Sequence, residues 1–194
     1  MERTGMLLEM LELQLIADRG AHAKGNTNYE TILDKNQLWH ALFDELGEVN
    51  HEIKGLWSWW KLSQKAPDQQ KVLEELSDVT HFVLSNMLAA YDGNLSLLKA
   101  EIEGAEDSLF EDETYSLEAV PYIISFMLDI ADMSSHYKHE IVDEDCGLVM
   151  EAPLLVFNYF TRLVLALGYD FESDIYPAYV AKNKVNLERN ASDY

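Results

Sequence analysis

Apolar residues recur every three to four positions along most of this chain, the spacing of the buried face of an α-helix. No stretch shows the sustained alternation of apolar and polar residues that is typical of a half-buried strand. The pattern therefore predicts an all-α fold. Its helices are expected over these ranges: about 4–18, 34–60, 69–91, 95–105, 117–139, 149–167 and 173–187.

Loops are predicted where glycine, asparagine and aspartate gather between the periodic segments, over about 19–28 and 106–113. Asp68 stands just before the third helix, where an aspartate side chain can cap free backbone N–H groups. The run Asp92, Gly93, Asn94 is expected to end that helix. An acidic run at 143–145 is expected to end the helix predicted before it.

Length and composition indicate one compact domain, residues 1–194, with a sizeable core. Hydrophobic residues make up 48% of the chain, but no apolar run approaches the roughly 20 residues that a spanning helix needs. The first residues lack the pattern of a secretory signal. The one cysteine, Cys146, rules out an internal disulfide and suits a reducing compartment. We expect a cytoplasmic protein (in the host cytoplasm, if a phage encodes it) with no membrane partner.

The net charge of −21 argues against a nucleic-acid partner, because a duplex-binding surface needs clustered lysine and arginine. The charge is also uneven. Residues 92–151 contain sixteen acidic and two basic residues, whereas the last thirteen residues hold three basic residues and two acidic ones. In so acidic a chain, the basic tail is the natural candidate for an anion site.

Two pairs of acidic residues are the strongest candidates for chemistry. Glu45 and Glu48 lie to one side of the apolar stripe of the second predicted helix, and Glu75 and Asp78 hold the same offsets in the third. If the stripes pack together, the four carboxylates share one edge. A single Glu-x-x-Glu pair is common on solvated helix faces. Two pairs in matched phase beside a core predict a site for magnesium, which takes oxygen ligands and substrate phosphates.

The tail supplies possible partners for phosphate. Lys182, Asn186 and Arg189 would lie on one face of a continued helix, and arginine can grip phosphate oxygens in a bidentate fork. The alternative is a solvated helix end whose cations suit the helix dipole. A terminal aromatic residue, Tyr194, is hard to explain that way. A role as a buried, hydrogen-bonded histidine would explain His81 without any contact to a substrate. Core packing would explain Trp57 and its neighbouring tryptophans in the same way.

Several motifs of this chain together resemble the dimeric all-α dUTP pyrophosphatases, which are relatives of the MazG-like and of the phage dCTP/dUTP pyrophosphatases. The motifs lie in the family's order over nearly the whole chain, and residues of about 95–150 match only as variable helical sequence. They are Glu45-Leu-Gly-Glu48, Trp57-Ser-Trp-Trp60-Lys61, Glu75-Leu-Ser-Asp78-Val-Thr-His81-Phe82, and the tail from Lys182 to Tyr194. A weaker match, Gln14 to Asp18, looks like the family's glutamine motif.

The resemblance implies an all-α NTP pyrophosphatase fold with a variable helical insertion, a homodimer, and cleavage of dUTP to dUMP and pyrophosphate. It implies that Glu45, Glu48, Glu75 and Asp78 bind Mg²⁺. Water would attack, at the β-phosphorus, and Glu48 is the candidate to deprotonate it. The implied substrate-binding residues are Gln14, Asp18, Trp57, Trp60, Lys61, His81, Lys182, Asn183, Asn186, Arg189 and Tyr194.

Two departures from the family pattern leave alternatives open. Asp18 stands where the family often carries an amide, and an ionised carboxylate only accepts hydrogen bonds, which suits cytosine's amino group better than uracil's O4. The same machinery could therefore hydrolyse dCTP or a modified deoxynucleotide, and dUDP is a further possible substrate. Asn190 and Asp193 also alter the tail, so its closure is in question. A different class of function is a non-catalytic helical protein whose acidic region, about 92–151, binds a basic partner.

Overall fold

The computed structural model confirms the all-α class. It describes residues 2–25, 35–63, 65–110, 112–113, 115–136, 140–143 and 148–191. The N-terminal elements are α1 (Arg3–Lys24), α2 (Lys35–Glu52), α3 (Lys54–Trp57), α4 (Gln69–Ala90), α5 (Leu95–Gly104) and α6 (Glu106–Leu109). The C-terminal elements are a 3₁₀ turn (Leu117–Ala119), α7 (Val120–His136), β1 (Glu140–Asp143), β2 (Leu148–Glu151), α8 (Ala152–Ala166), a π turn (Phe171–Ile175) and α9 (Tyr176–Ala191).

Helix α4 lies at the centre of the domain and packs against α2, α1, α8 and α9. Its second half is buried on nearly all sides, from Val79 to Ala89. The Asp68 side chain caps it, accepting hydrogen bonds from the backbone N–H groups of Gln70 and Lys71 as the sequence predicts. Its end is also where predicted, because Asp92 and Gly93 take positive φ angles of 52° and 71°.

Helices α2 and α4 pack through the two apolar stripes that the sequence pattern predicts. The buried residues of these stripes are Leu42, Leu46 and Val49 in α2 with Ile53 directly after it, and Val72, Leu76, Val79 and Val83 in α4. Each of them is at most 2% exposed, so this interface forms part of the core. It fixes the edge on which the acidic residues of both helices meet.

A close backbone approach follows α2. The carbonyl oxygen of Lys65 lies where a Cβ atom on Gly55 would stand, so only glycine fits at that position. The second helix was predicted to continue to about residue 60, which is wrong. It ends at Glu52, and the separate turn of α3 lets the chain return across Gly55 toward the start of α4.

Other boundaries also differ from the predictions. Helix α1 continues through Lys24, so the first part of the predicted 19–28 loop is helical; its last turn reaches the C-terminal helix, where Lys24 Nζ donates to the carbonyl of Arg189 at 2.8 Å. The predicted 106–113 loop begins with the short helix α6. The last helix is longer at both ends, because the π turn leads directly into α9, which continues to Ala191.

A small hairpin replaces the helical start predicted at 149. Strands β1 and β2 pair antiparallel, with Ile141 opposite Met150 and Val142 opposite Val149. Within the predicted helix 117–139, the structure has the 3₁₀ turn and α7 (Val120–His136), and residues 137–139 lie outside the described part of the chain.

No single helix in the described ranges is long and apolar enough to cross a membrane. Helix α8 and the segment Phe171–Ala191 together meet the length and composition requirement, but they are bent by 92° and α8 is buried within the domain.

Candidate metal site and nucleotide cleft

Three carboxylates meet at the shared edge of α2 and α4. One oxygen from each of Glu45, Glu75 and Asp78 lies within 4.8 Å of the others. All three side chains are half-buried. The donor set consists only of carboxylate oxygens, the ligands that a hard divalent cation such as Mg²⁺ prefers, so these residues fit such an ion.

The electrostatics of this cluster favour a cation. Burial, together with the charges of Asp78 and Glu75, raises the pKa of Glu45 to about 7. The pKa of Glu75 is also raised, first by burial and then by Asp78 and Glu48. Both carboxylates are therefore costly to ionise in the protein alone, and a cation among them would remove that cost.

Glu48 lies at the exposed edge of the cluster and outside the group of three that share one 4.8 Å sphere. Its charge still raises the pKa of both Glu45 and Glu75, which places it nearby. The structure thus brings three of the four predicted metal ligands together and leaves the fourth beside them with its carboxylate open to solvent.

The C-terminal helix contributes a cation to the cluster. Lys182 Nζ on α9 lies 2.8 Å from Asp78 Oδ2 on α4, and both side chains are partly buried. The predicted anion-binding lysine and a predicted metal ligand are therefore ion-paired in this structure. The basic C-terminal helix thus reaches the acidic edge of α2 and α4.

A cleft of about 440 Å³ adjoins the cluster and lies between α1, α2, α4 and α9. Asp78 belongs both to the cleft wall and to the carboxylate cluster. Six predicted site residues line the cleft: Gln14, Asp18, Asp78, His81, Asn186 and Arg189. The remaining lining residues are Ala17, Ala21, His22, Leu38, Phe82, Ser85 and Asn190.

A hydrogen-bond network joins α1 to α4 on one side of this cleft. Gln14 Nε2 donates to Asp18 Oδ1 at 2.7 Å and to Ser85 Oγ at 3.0 Å. The Ser85 hydroxyl donates to the Asp18 carboxylate at 2.9 Å. Burial raises the pKa of Asp18 to about 6, although the hydrogen bonds from Gln14 and Ser85 lower it. Asp18 is thus a half-buried carboxylate held by neutral donors.

The network continues into α9 through Tyr179, which is fully buried. Its hydroxyl lies 3.0 Å from Gln14 Oε1 and 2.9 Å from the carbonyl oxygen of Met10. Asn183 donates to the Tyr179 hydroxyl at 3.1 Å, and Asn183 is only 1% exposed. Asn183 therefore belongs to the buried part of the network and does not line the cleft.

His81 is buried and hydrogen-bonded, and it also lines the cleft, so the two alternatives drawn from the sequence are compatible. Its Nδ1 lies 2.7 Å from Gln14 Oε1, and its ring packs on Tyr179 with centroids 4.6 Å apart. Burial lowers the pKa of His81 to about 4. The imidazole is therefore neutral at physiological pH.

Sequence reasoning missed Ser85 and Tyr179. Both could have been found from helical spacing, because Ser85 follows His81 by one turn and Tyr179 precedes Asn183 by one turn. Each was passed over because a serine or a tyrosine within an apolar pattern carries no chemical motif. Their importance appears only when α1, α4 and α9 are packed together.

Three predicted site residues lie elsewhere, and a fourth cannot be placed. Trp57, Trp60 and Lys61 are exposed and are absent from the cleft lining. The Trp57 and Trp60 rings contact each other, with centroids 5.6 Å apart. The structure thus does not show the core packing considered for this patch. Tyr194 lies outside the described residues.

The fold and site define an all-α protein with an acidic edge, whose carboxylates fit a divalent cation, beside a polar cleft. The chain belongs to the dUTPase family, whose family model matches residues 6–194. A comparison with curated proteins gives no match. Membership of this family points to a nucleotide substrate and to the hydrolysis of dUTP.

Proposed function

We propose that this protein is a Mg²⁺-dependent dUTP diphosphatase that hydrolyses dUTP to dUMP and pyrophosphate. One observation carries the proposal beyond family membership. Asp78 stands at once in the three-carboxylate cluster and in the wall of the polar cleft, so a cation on the cluster would adjoin a nucleotide in the cleft. This is the juxtaposition that phosphoanhydride hydrolysis requires.

Glu45, Glu75 and Asp78, with Glu48 at the edge, would hold the metal. Bound Mg²⁺ would neutralise charge on the phosphates and acidify water. Glu48 is the proposed general base, because its exposed carboxylate can reach solvent water that attacks the phosphate, proposed here at the β-phosphorus. The proton would move from that water to the Glu48 carboxylate as the bond between the β-phosphorus and the oxygen that bridges it to the α-phosphorus breaks. The leaving group is then dUMP, and the oxygen of the attacking water ends up in pyrophosphate.

The α9 side chains are the proposed phosphate partners. Lys182 already lies at the edge of the cluster, and Asn186 and Arg189 line the cleft one and two turns further along the same face. Lysine supplies a point charge, and the guanidinium of arginine can form paired hydrogen bonds with phosphate oxygens. They would hold the triphosphate while the remainder of the cleft binds the nucleoside.

The base would be bound by the Gln14, Asp18 and His81 side of the cleft. A second candidate substrate is dCTP, favoured by the half-buried Asp18 carboxylate in the cleft wall. When ionised, this group accepts a hydrogen bond from cytosine's amino group but repels the O4 atom of uracil. Both N–H groups of the neighbouring Gln14 amide already donate hydrogen bonds, one to Asp18 and one to Ser85.

The resemblance also supports a homodimer as part of this proposal, and it supports nucleotide contacts from Trp57, Trp60, Lys61 and Tyr194. Light scattering at several concentrations tests the dimer, and a constant mass of one chain would contradict it. Trp60→Ala should raise the KM for dUTP, whereas Trp59→Ala is the matched control, because Trp59 is 85% exposed and was not assigned to the site.

The proposal is tested by a turnover panel of dUTP, dUDP, dCTP and dTTP with Mg²⁺, with dUMP and pyrophosphate both quantified. We expect dUTP to have the highest kcat/KM. Higher turnover of dCTP would decide for the second candidate, and equal turnover of all four would contradict base selection. Glu48→Gln should lose at least about a hundredfold in kcat, in line with general-base catalysis, while the exposed Glu74→Gln should not.

A further inference from the structure

His81 has one nitrogen engaged and one without a partner. Its Nδ1 is hydrogen-bonded to Gln14 Oε1 at 2.7 Å. Its Nε2 is buried and has no hydrogen-bond partner within the described part of the chain. The residue lines the cleft although it is only 7% exposed. A buried polar atom without a partner is costly, and at the wall of a binding cleft it indicates where a ligand atom belongs.

The surrounding network determines which nitrogen carries the proton. An ionised Asp18 only accepts hydrogen bonds, so the amide nitrogen of Gln14 must face it. Gln14 then turns its oxygen toward His81 and Tyr179. Since that oxygen only accepts, the neutral imidazole has to donate to it from Nδ1, and its Nε2 is left as an acceptor.

We propose that Asp18 and Gln14 hold His81 in the Nδ1–H tautomer, so that His81 Nε2 accepts a hydrogen bond from an N–H or O–H group of the bound nucleotide. Gln14 is a positioning residue that acts through His81. The inference rests on the proposed function for the identity of the ligand. The tautomer itself is a property of the free protein.

The other hydrogen-bond donors of this network are already engaged. Both N–H groups of Gln14 and the hydroxyl of Ser85 are already donated within it. The hydrogen-bonding capacity that remains is therefore that of acceptors, on His81 Nε2 and on the Asp18 carboxylate. A nucleotide offers two kinds of donor that fit an acceptor, a base N–H and the sugar 3′-hydroxyl, and the experiment has to separate them.

The tautomer is read by long-range ¹H–¹⁵N NMR on the free protein at neutral pH, with the His81 signal assigned by its loss in His81→Phe. We expect Nδ1 protonated and Nε2 unprotonated. An Nε2–H tautomer or an imidazolium would overturn the proposal. In Gln14→Met the acceptor for Nδ1–H is gone, so the proton should move to Nε2. The same substitution at the exposed Gln70 is the control and should change nothing.

The ligand is tested by comparing dUTP with two analogues in the wild-type protein and in His81→Phe, which keeps a ring in place. N3-methyl-dUTP removes the base donor, and 2′,3′-dideoxy-UTP removes the sugar donor. The analogue that lacks the group bound by His81 should lose about ten- to hundredfold in kcat/KM in the wild type. That penalty should disappear in His81→Phe, whereas a purely steric penalty would persist.

The possible outcomes distinguish a failure of this inference from a failure of the proposed function. If neither analogue's penalty shrinks in His81→Phe while dUTP is turned over normally, His81 Nε2 does not bind the nucleotide, and the inference fails while the proposed function stands. If no nucleotide is turned over by the wild-type protein, the proposed function fails, and the ligand part of the inference fails with it. Loss of turnover in Gln14→Met with an unchanged tautomer would mean that Gln14 does not act through His81.

Discussion

The ammonium group of Lys182 lies 2.8 Å from Asp78 Oδ2, a contact between residues 104 positions apart. It joins the basic C-terminal helix to the acidic edge of α2 and α4. In the protein without metal, Lys182 offsets part of the charge of the cluster, since it lowers the raised pKa of Glu75. A bound metal and Lys182 would thus act on the same carboxylates.

Lys182→Met should destabilise the metal-free protein by up to about 1 kcal/mol, because a partly exposed ion pair contributes no more than that to the free energy of unfolding. Mg²⁺ should reduce the loss, since the ion neutralises the same carboxylates. Thermal unfolding in chelator and in Mg²⁺ measures both effects. The control is Lys99→Met, which removes a lysine from an exposed pair with Glu103 on α5. Equal Tm shifts in both variants would show that the Lys182 contact has no special effect.

The pKa of Asp18 gives the stability of the protein a pH dependence with a definite sign. Its folded-state value of about 6 lies above the ordinary 3.8, so the folded protein binds this proton more tightly than the unfolded chain. The favourable contribution is complete below the ordinary value and is lost as the pH rises through about 6. Asp18→Asn lacks this dependence.

The stability of Asp18→Asn relative to the wild type should therefore rise between about pH 5 and pH 8, by about 1.4 kcal/mol, the equivalent of one pKa unit. Urea unfolding of both proteins at the two pH values measures it. The titration of Glu45 and Glu75 is common to both proteins, so it cancels in the difference between their free energies of unfolding. A difference that does not vary with pH would mean that Asp18 ionises normally in the folded protein.

The same substitution tests which base the cleft prefers. The side-chain amide introduced by Asp18→Asn would supply an N–H donor where the carboxylate supplies only acceptors, so the ratio of kcat/KM for dUTP over dCTP should rise. Replacing a repulsive contact by a hydrogen bond corresponds to about tenfold or more. An unchanged ratio would show that Asp18 does not face the base.

Much of this architecture could be predicted from periodicity. The matched phase of Glu45 and Glu75 relative to their apolar stripes correctly indicated that α2 and α4 pack with their acidic edges together. The cap at Asp68 and the stop at Gly93 were readable because each follows from local backbone chemistry. The family resemblance is confirmed by the match over residues 6–194.

The structural features that could not be predicted from the sequence depend on tertiary packing. No local pattern signals the end of α2 at Glu52 or the close approach of Lys65 to Gly55 that follows it. The buried connection of Gln14 to Tyr179 spans 165 positions and exists only because α1 and α9 pack side by side. The roles assigned to the individual site residues stay predictions, and Trp57, Trp60 and Lys61 lie outside the cleft lining.

The approach of Lys65 to Gly55 predicts opposite effects for two glycine substitutions. Gly55→Ala should destabilise the protein by about 1–3 kcal/mol, because its Cβ would collide with backbone that cannot move freely. Gly47→Ala is the matched control in α2. Nothing lies within 4 Å of a Cβ there, and alanine favours helix, so it should stabilise by about 0.5–1 kcal/mol. Chemical denaturation compares them, and similar effects at both positions would contradict the close approach.

The proposed function requires that Glu45, Glu75 and Asp78 bind the metal on which dUTP hydrolysis depends. The most direct test is the rate of pyrophosphate formation from dUTP during a Mg²⁺ titration, for the wild-type protein, Glu75→Gln and the neighbouring exposed Glu74→Gln. We expect saturable, chelator-sensitive turnover in the wild type and in Glu74→Gln, and at least about a hundredfold loss in Glu75→Gln. Turnover that persists in chelator, or equal rates in the two variants, would contradict the claim.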